Sequence, residues 1–130
     1  MITICKMFSF AAAHKLPNHQ GLCQNLHGHE YILHVAIEGD IVQDKISPQF
    51  GMIMDFGELK RLVTSVISKF DHSYLNDFYA NPTAEIMVAD IVTLLKSTIN
   101  TNAPNYKKLK SVRLYETPTS YAQWEEDDNQ

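Results

Sequence analysis

Two long segments of alternating apolar and polar residues, each with histidine at one end, constrain this chain most. Ile2 to His14 places Ile4, Phe8, Phe10, Ala12 and His14 on one parity. His27 to Asp40 places His27, His29, Tyr31, Leu33, Val35 and Ile37 on one parity and Glu30, His34 and Glu38 on the other. A side-chain period of two is the mark of a strand that turns one face to a core. The link between them, Lys15 to Asn25, is polar and holds Pro17, Asn18 and Gly21, so it reads as a loop. Sequential strands with a short link pair antiparallel. Such a hairpin carries His14 opposite His27 and His29.

The period then changes. Asp55 with Glu58 resembles a capping box, and Phe56, Leu59, Leu62, Val63, Val66, Ile67 and Phe70 recur at helical spacing. Asn81-Pro82-Thr83 opens a second predicted helix, with Asn or Thr as its cap. Its broad apolar face is Ala84, Met87, Val88, Ile91, Leu94, Leu95 and Ile99, and Asn100 to Asn105 is expected to break it. Lys108 to Glu116 and Thr119 to Trp124 read as two more strands joined by a tight turn at Pro118, and the acidic tail from Glu125 to Gln130 is expected to fray. The order strand, strand, helix, helix, strand, strand predicts an α+β fold: an antiparallel sheet with both helices on one face. With 130 residues and no linker or internal repeat, residues 1–130 are expected to form one domain.

Composition narrows the function class. A hydrophobic fraction of 45% supplies a core without help from a metal. The net charge of -4 argues against a nucleic-acid partner, since Lys107, Lys108 and Lys110 read as a solvated strand start rather than a basic patch. No apolar run reaches the roughly 18 residues that cross a bilayer. Cys5 and Cys23 follow no secretory signal, so reduced thiols and a cytoplasmic location are expected.

His27-Gly28-His29 is the sharpest chemical signal. Residues two apart on a strand point the same way, so both imidazoles can reach one ion, while Gly28 leaves the opposite face open. Zinc takes nitrogen and sulfur donors, and catalytic sites pair three protein ligands with an open position. His14 is the candidate third ligand; the alternative is three ordinary histidines. Cys23 reads three ways: a fourth ligand closing a structural site, an inert buried thiol, or a base whose pKa a nearby cation lowers. Asp71 and His72 read either as proton-transfer groups or as a helix-end carboxylate beside a surface histidine. Being adjacent, they are expected to act separately. Glu116 extends the inward parity of Val112 and Leu114; there it needs a partner, such as a ligand with an amidine-like N–H edge, unless the strand has already reached solvent. His19 reads as a plain loop residue and His34 as a mixed-face strand residue.

Phe10-Ala11-Ala12-Ala13-His14 and Cys23-Gln24-Asn25-Leu26-His27-Gly28-His29 resemble the zinc and cysteine motifs of the 6-pyruvoyltetrahydropterin synthase family. The Cys23-to-His27 spacing resembles that family's 6-carboxytetrahydropterin synthase branch. Further matches are Gly51 to Phe56, Asp71-His72-Ser73-Tyr74-Leu75-Asn76, Asn81 to Glu85 and Tyr115-Glu116-Thr117, so the likeness runs over nearly the whole chain. It implies the tunnelling fold, in which trimers pair into a homohexamer with active sites at subunit interfaces. It implies Zn2+ held by His14, His27 and His29, Cys23 as catalytic thiol, and Asp71 and His72 as its assistants from a neighbouring subunit. Glu116 matches the carboxylate that anchors a pterin's guanidine-like edge. The implied substrate is 7,8-dihydroneopterin triphosphate, and the products are 6-carboxy-5,6,7,8-tetrahydropterin, acetaldehyde and triphosphate, in queuosine biosynthesis. Lys15 and His19 are candidates to meet the triphosphate. Ser73 departs from relatives with a second His there, and Ile41 to Phe50 matches no motif. Two rivals remain: a sister activity (pyruvoyl synthase or an aldolase, whose Glu would replace Cys23) and a non-catalytic module with a zinc closed by Cys23.

Overall fold

The computed structural model describes residues 1–102 and 107–127. Strands β1 (Ile2–His14) and β2 (His27–Gly39) are followed by helix α1 (Phe56–Ile67), a two-residue strand β3 (Ser73–Tyr74), helix α2 (Ala84–Asn102), and strands β4 (Lys107–Thr117) and β5 (Ser120–Glu125). They form one sheet in the order β3-β1-β2-β4-β5. The alternation of the first two segments produces the expected hairpin, in a register that sets Phe10 opposite Tyr31, Ala12 opposite His29 and His14 opposite His27.

The sheet departs from a purely antiparallel one. β3 runs parallel to β1 over Ala12 and Ala13, where the chain leaving the turn after α1 borders the β1 edge. Two residues carry no readable period, so this strand was invisible to pattern.

Both helices cover the face that carries Phe10, Tyr31, Leu33, Val35, Ile37, Val112 and Leu114, and the core includes Leu59, Leu62 and Val63 of α1 and Met87, Ile91 and Leu95 of α2. Asp55 caps α1, accepting a hydrogen bond from Gly57 N at 2.7 Å. The capping box does not close, because Glu58 pairs instead with Arg61. Phe56 precedes the buried stripe and is exposed. Thr83 caps α2 by accepting from Ile86 N at 3.1 Å, and Pro82 lies just outside the helix. The break expected from Asn100 comes later, since α2 continues to Asn102; residues 103–105 lie outside the described part. At the other end Glu125 closes β5 and Glu126 N donates to Lys110 O at 2.9 Å, so the tail is held further than expected; residues 128–130 lie outside the described part.

Two irregularities in β4 matter for function. Between Ala36 and Ile37 of β2 the register shifts past Lys110, so the buried positions change parity from Leu109 to Val112 and Leu114. At the far end the pairing passes from Tyr115–Tyr121 to Thr117–Ser120, leaving Glu116 without a cross-strand partner. A bulge of this kind re-aims a side chain.

Candidate metal centre and its surroundings

Three imidazoles and one carboxylate converge where β1, β2 and β4 meet. His14 Nε2 lies 3.1 Å from His27 Nε2, and His29 Nε2 lies 3.1 Å from Glu116 Oε1. His14 Nε2 is 3.9 Å from the same carboxylate oxygen, and all four ligand atoms fall within 4.8 Å of one another. The three rings are nearly equidistant, with centroids 4.6, 4.8 and 5.0 Å apart. The arrangement follows from the hairpin register, with His14 and His27 directly paired and His29 two positions along the same face.

The outer nitrogens fix the tautomer of two rings. His14 Nδ1 lies 2.9 Å from Pro82 O, just before α2, and His27 Nδ1 lies 2.7 Å from Asn25 O. Carbonyl oxygens only accept, so each Nδ1 carries a proton and, in the neutral ring, each Nε2 presents a lone pair. Two lone pairs 3.1 Å apart repel each other, whereas a cation that both coordinate makes the same geometry favourable. His29 Nε2 is buried and makes no hydrogen bond despite its closeness to Glu116. Burial, more than its charged neighbours, holds the His29 pKa below the usual value and so favours the neutral, ligating form. A tetrahedral site with ~2.0–2.1 Å metal–ligand distances has donor separations of about 3.3–3.4 Å; two of the separations here are 3.1 Å and a third is 3.9 Å, so the group needs only small side-chain shifts to close on an ion. The donors therefore fit a divalent first-row ion.

Tyr31 belongs to this site and was read from sequence only as an apolar-parity position. It is fully buried, stacks on Phe10 with centroids 5.0 Å apart, and sets its hydroxyl 3.3 Å from His14 Nδ1. Burial, reinforced by the Glu116 carboxylate, keeps the phenol protonated well above its usual range. Its place two residues beyond His29 on the same parity was the available signal. The carbonyls of Pro82 and Asn25 carry no side-chain signature at all.

Cys23 is a half-exposed free thiol in the short turn Leu22–Gln24. It does not join the four-residue group, whose fourth member is Glu116. Leu16 N donates to Cys23 O at 2.7 Å and closes the loop in which both lie. Asn76 ties down the same loop by hydrogen bonds to Lys15 N and Lys15 O at 3.0 and 2.9 Å. His19 Nδ1 accepts from Gly21 N at 2.9 Å, a local turn contact.

Asp71 and His72 do pair with each other, contrary to the expectation from their adjacency. His72 has φ 58°, a left-handed conformation that turns its ring back, and its Nδ1 lies 3.1 Å from Asp71 Oδ1. Both residues grip one position on the edge of β1: Ala11 N donates to Asp71 Oδ1 at 3.0 Å and His72 N donates to Ala11 O. The Ala11 N–H first, and His72 next, hold the Asp71 carboxyl below its usual pKa. The His72 side chain is 83% exposed, so no described residue covers it. No hydrogen bond or ion pair joins Cys23 to either residue among the described residues.

The metal-binding group opens into a cleft of about 650 Å³ lined by Gly28, His29, Ile32, His34, Tyr115 and Glu116. It lies where β4 parts from β2 beyond the Ile32–Tyr115 pair. A Cβ at Gly28 would meet only Ala12 O, at 3.7 Å, so packing within the chain does not require glycine there.

A family model described as 6-pyruvoyl tetrahydropterin synthase matches residues 3–127. The chain is 37% identical to a 6-carboxy-5,6,7,8-tetrahydropterin synthase of Haemophilus influenzae, over 97% of this chain and 100% of that protein. It is 36% identical to a dihydroneopterin monophosphate aldolase of Pyrococcus furiosus, over 83% of each chain. Among solved structures, 6-pyruvoyl tetrahydropterin synthase of Caenorhabditis elegans aligns with TM-score 0.78 at 26% identity, covering 97% of this chain and 96% of the other.

Proposed function

The chain belongs to the 6-pyruvoyl tetrahydropterin synthase family, and from that premise we propose that it is a zinc-dependent 6-carboxy-5,6,7,8-tetrahydropterin synthase. Its substrate is 7,8-dihydroneopterin triphosphate, and it serves 7-deazaguanine (queuosine) synthesis. The observation that carries this reading is the convergence of His14, His27 and His29 with Glu116 at the mouth of a cleft large enough for a bicyclic base. Zinc, when bound, supplies Lewis acidity toward the substrate's side-chain hydroxyls.

The chain's own residues do the rest. Glu116 accepts paired N–H groups from the pterin's guanidine-like edge. Cys23, as thiolate, takes a proton from the side chain of the substrate. Asp71 accepts from His72 Nδ1, which leaves Nε2 of that ring to exchange a proton. The exposure of His72 supports the reading that a neighbouring subunit brings the pair to the thiol, in a hexamer with interfacial sites. The outer edge of β1 before Ala11, which pairs with no other strand among the described residues, supports assembly as well.

A sister activity is the second reading, favoured by the likeness to the aldolase of Pyrococcus furiosus. Cys23, in the position where that branch uses a Glu, favours the synthase. Mass spectrometry of products from zinc-loaded protein and 7,8-dihydroneopterin triphosphate, without reductant, tests the choice. The synthase yields carboxytetrahydropterin and acetaldehyde. A pterin that keeps its three-carbon side chain moves the assignment to pyruvoyl synthase.

A further inference from the structure

We propose that Glu116 alternates between two partners: it is the fourth metal ligand at rest, and it leaves the metal to bind the pterin edge when substrate enters. This rests on the pterin reading above and adds to it a substrate-gated coordination site.

Three observations carry it. Glu116 Oε1 sits 3.1 Å from His29 Nε2 and 3.9 Å from His14 Nε2, inside a four-residue group whose ligand atoms all lie within 4.8 Å of one another, so a small inward turn brings it to one ion. His29 Nε2 is buried without a hydrogen bond, so the neutral ring leaves a lone pair beside the carboxylate that an ion between the two would satisfy. Glu116 also lies at a bulge with no cross-strand partner, and it lines the cleft as well as the metal group. Its side chain is 24% exposed, so it can turn from one to the other without crossing the core.

The two roles exclude each other. Bidentate recognition of an amidine-like edge uses both carboxylate oxygens in one plane. An oxygen held in the metal group is not free for that. At rest the donor set is three imidazoles and one carboxylate, which closes a tetrahedral ion to other ligands. Pterin binding removes the carboxylate and frees one coordination position beside the substrate's side chain. Metal and pterin edge therefore compete for Glu116, and by linkage each weakens the other's binding by the same factor.

The test uses the full chain loaded with cobalt(II), whose visible spectrum reports its donor set, and unsubstituted pterin, which has the guanidine-like edge but no side chain. Fluorescence titration measures pterin binding independently. The expected result is a changed cobalt spectrum on pterin binding, with pterin bound about tenfold more weakly by zinc-loaded than by metal-free protein. Glu116→Gln should lose about tenfold or more in zinc affinity, with the thermal unfolding of its metal-free form checked against wild type. Pterin that binds with equal affinity to both forms and leaves the spectrum unchanged overturns the exchange while sparing the pterin reading. Failure of pterin to bind either form overturns both, and the zinc affinity of Glu116→Gln then reports separately on coordination at rest.

Discussion

Replacing Tyr31 by Phe removes one oxygen from a residue with no exposed surface. The stack on Phe10, 5.0 Å between centroids and 13° between planes, survives the change. The cost therefore lies almost wholly in the hydroxyl, which is 3.3 Å from His14 Nδ1 while Pro82 O is 2.9 Å away. The nearer carbonyl fixes the proton on Nδ1, and the phenol oxygen shares it at longer range. A shared neutral bond contributes ~0.5–1.5 kcal/mol, and removing a buried hydroxyl offsets part of that. The metal-free variant should thus stay within about 1 kcal/mol of wild type. Outer partners of ligating histidines are worth roughly 10–100-fold in metal affinity, and the retained Pro82 contact puts this variant near the low end, about tenfold. Urea unfolding followed through Trp124 gives the first quantity, and competition with a chromophoric zinc chelator gives the second. Unchanged zinc affinity would remove the hydroxyl from the account. A loss beyond about a hundredfold at normal stability would mean that Tyr31, rather than Pro82, sets the tautomer.

Cys23→Ser should retain zinc at wild-type stoichiometry, measured by elemental analysis, and lose about 10²–10⁴-fold in turnover; loss of the metal would make the thiol a ligand. The lowered His29 pKa gives the metal-free chain a pH signature. Between the folded pKa and the unfolded value near 6.5, the unfolded state binds more protons, so stability rises with pH through that window and levels off above it. Urea midpoints across the window should show this slope in wild type and a shallower one in His29→Gln. His72→Gly relieves a left-handed backbone (φ 58°); it should stabilise the chain by up to about 1 kcal/mol in thermal unfolding while turnover falls. A drop in stability would show that the ring's contact with Asp71 outweighs the backbone strain.

Much of the fold was legible because its signals are periodic. The histidine-bearing parities of β1 and β2 carry both the hairpin and its register, so the convergence of His14, His27 and His29 is legible in the sequence. Glu116 was legible as an inward carboxylate from Val112 and Leu114, but not its place in the metal group, since a bulge has no period. The parity change at Lys110 hid Leu109 for the same reason. The Asp71–His72 pair was misread because adjacent side chains diverge in ordinary backbone, and nothing at His72 announces a positive φ. The partners of the ligating rings, Pro82 O and Asn25 O, are main-chain atoms, on which sequence is silent.

Ala11 presents both its N–H and its C=O to Asp71 and His72, and His14 lies three residues further along the same strand. One uninterrupted strand thus serves as a ruler between the metal group a chain holds and the proton-transfer pair the same chain presents to a neighbour, graduated in steps of about 3.3 Å. Side-chain substitution in β1 leaves that interval untouched. Only an insertion or deletion changes it, and a single-residue step also throws His14 onto the opposite face. The offset between the site a chain holds and the pair it lends is therefore quantised, and neighbouring values are reached only by losing the ligand.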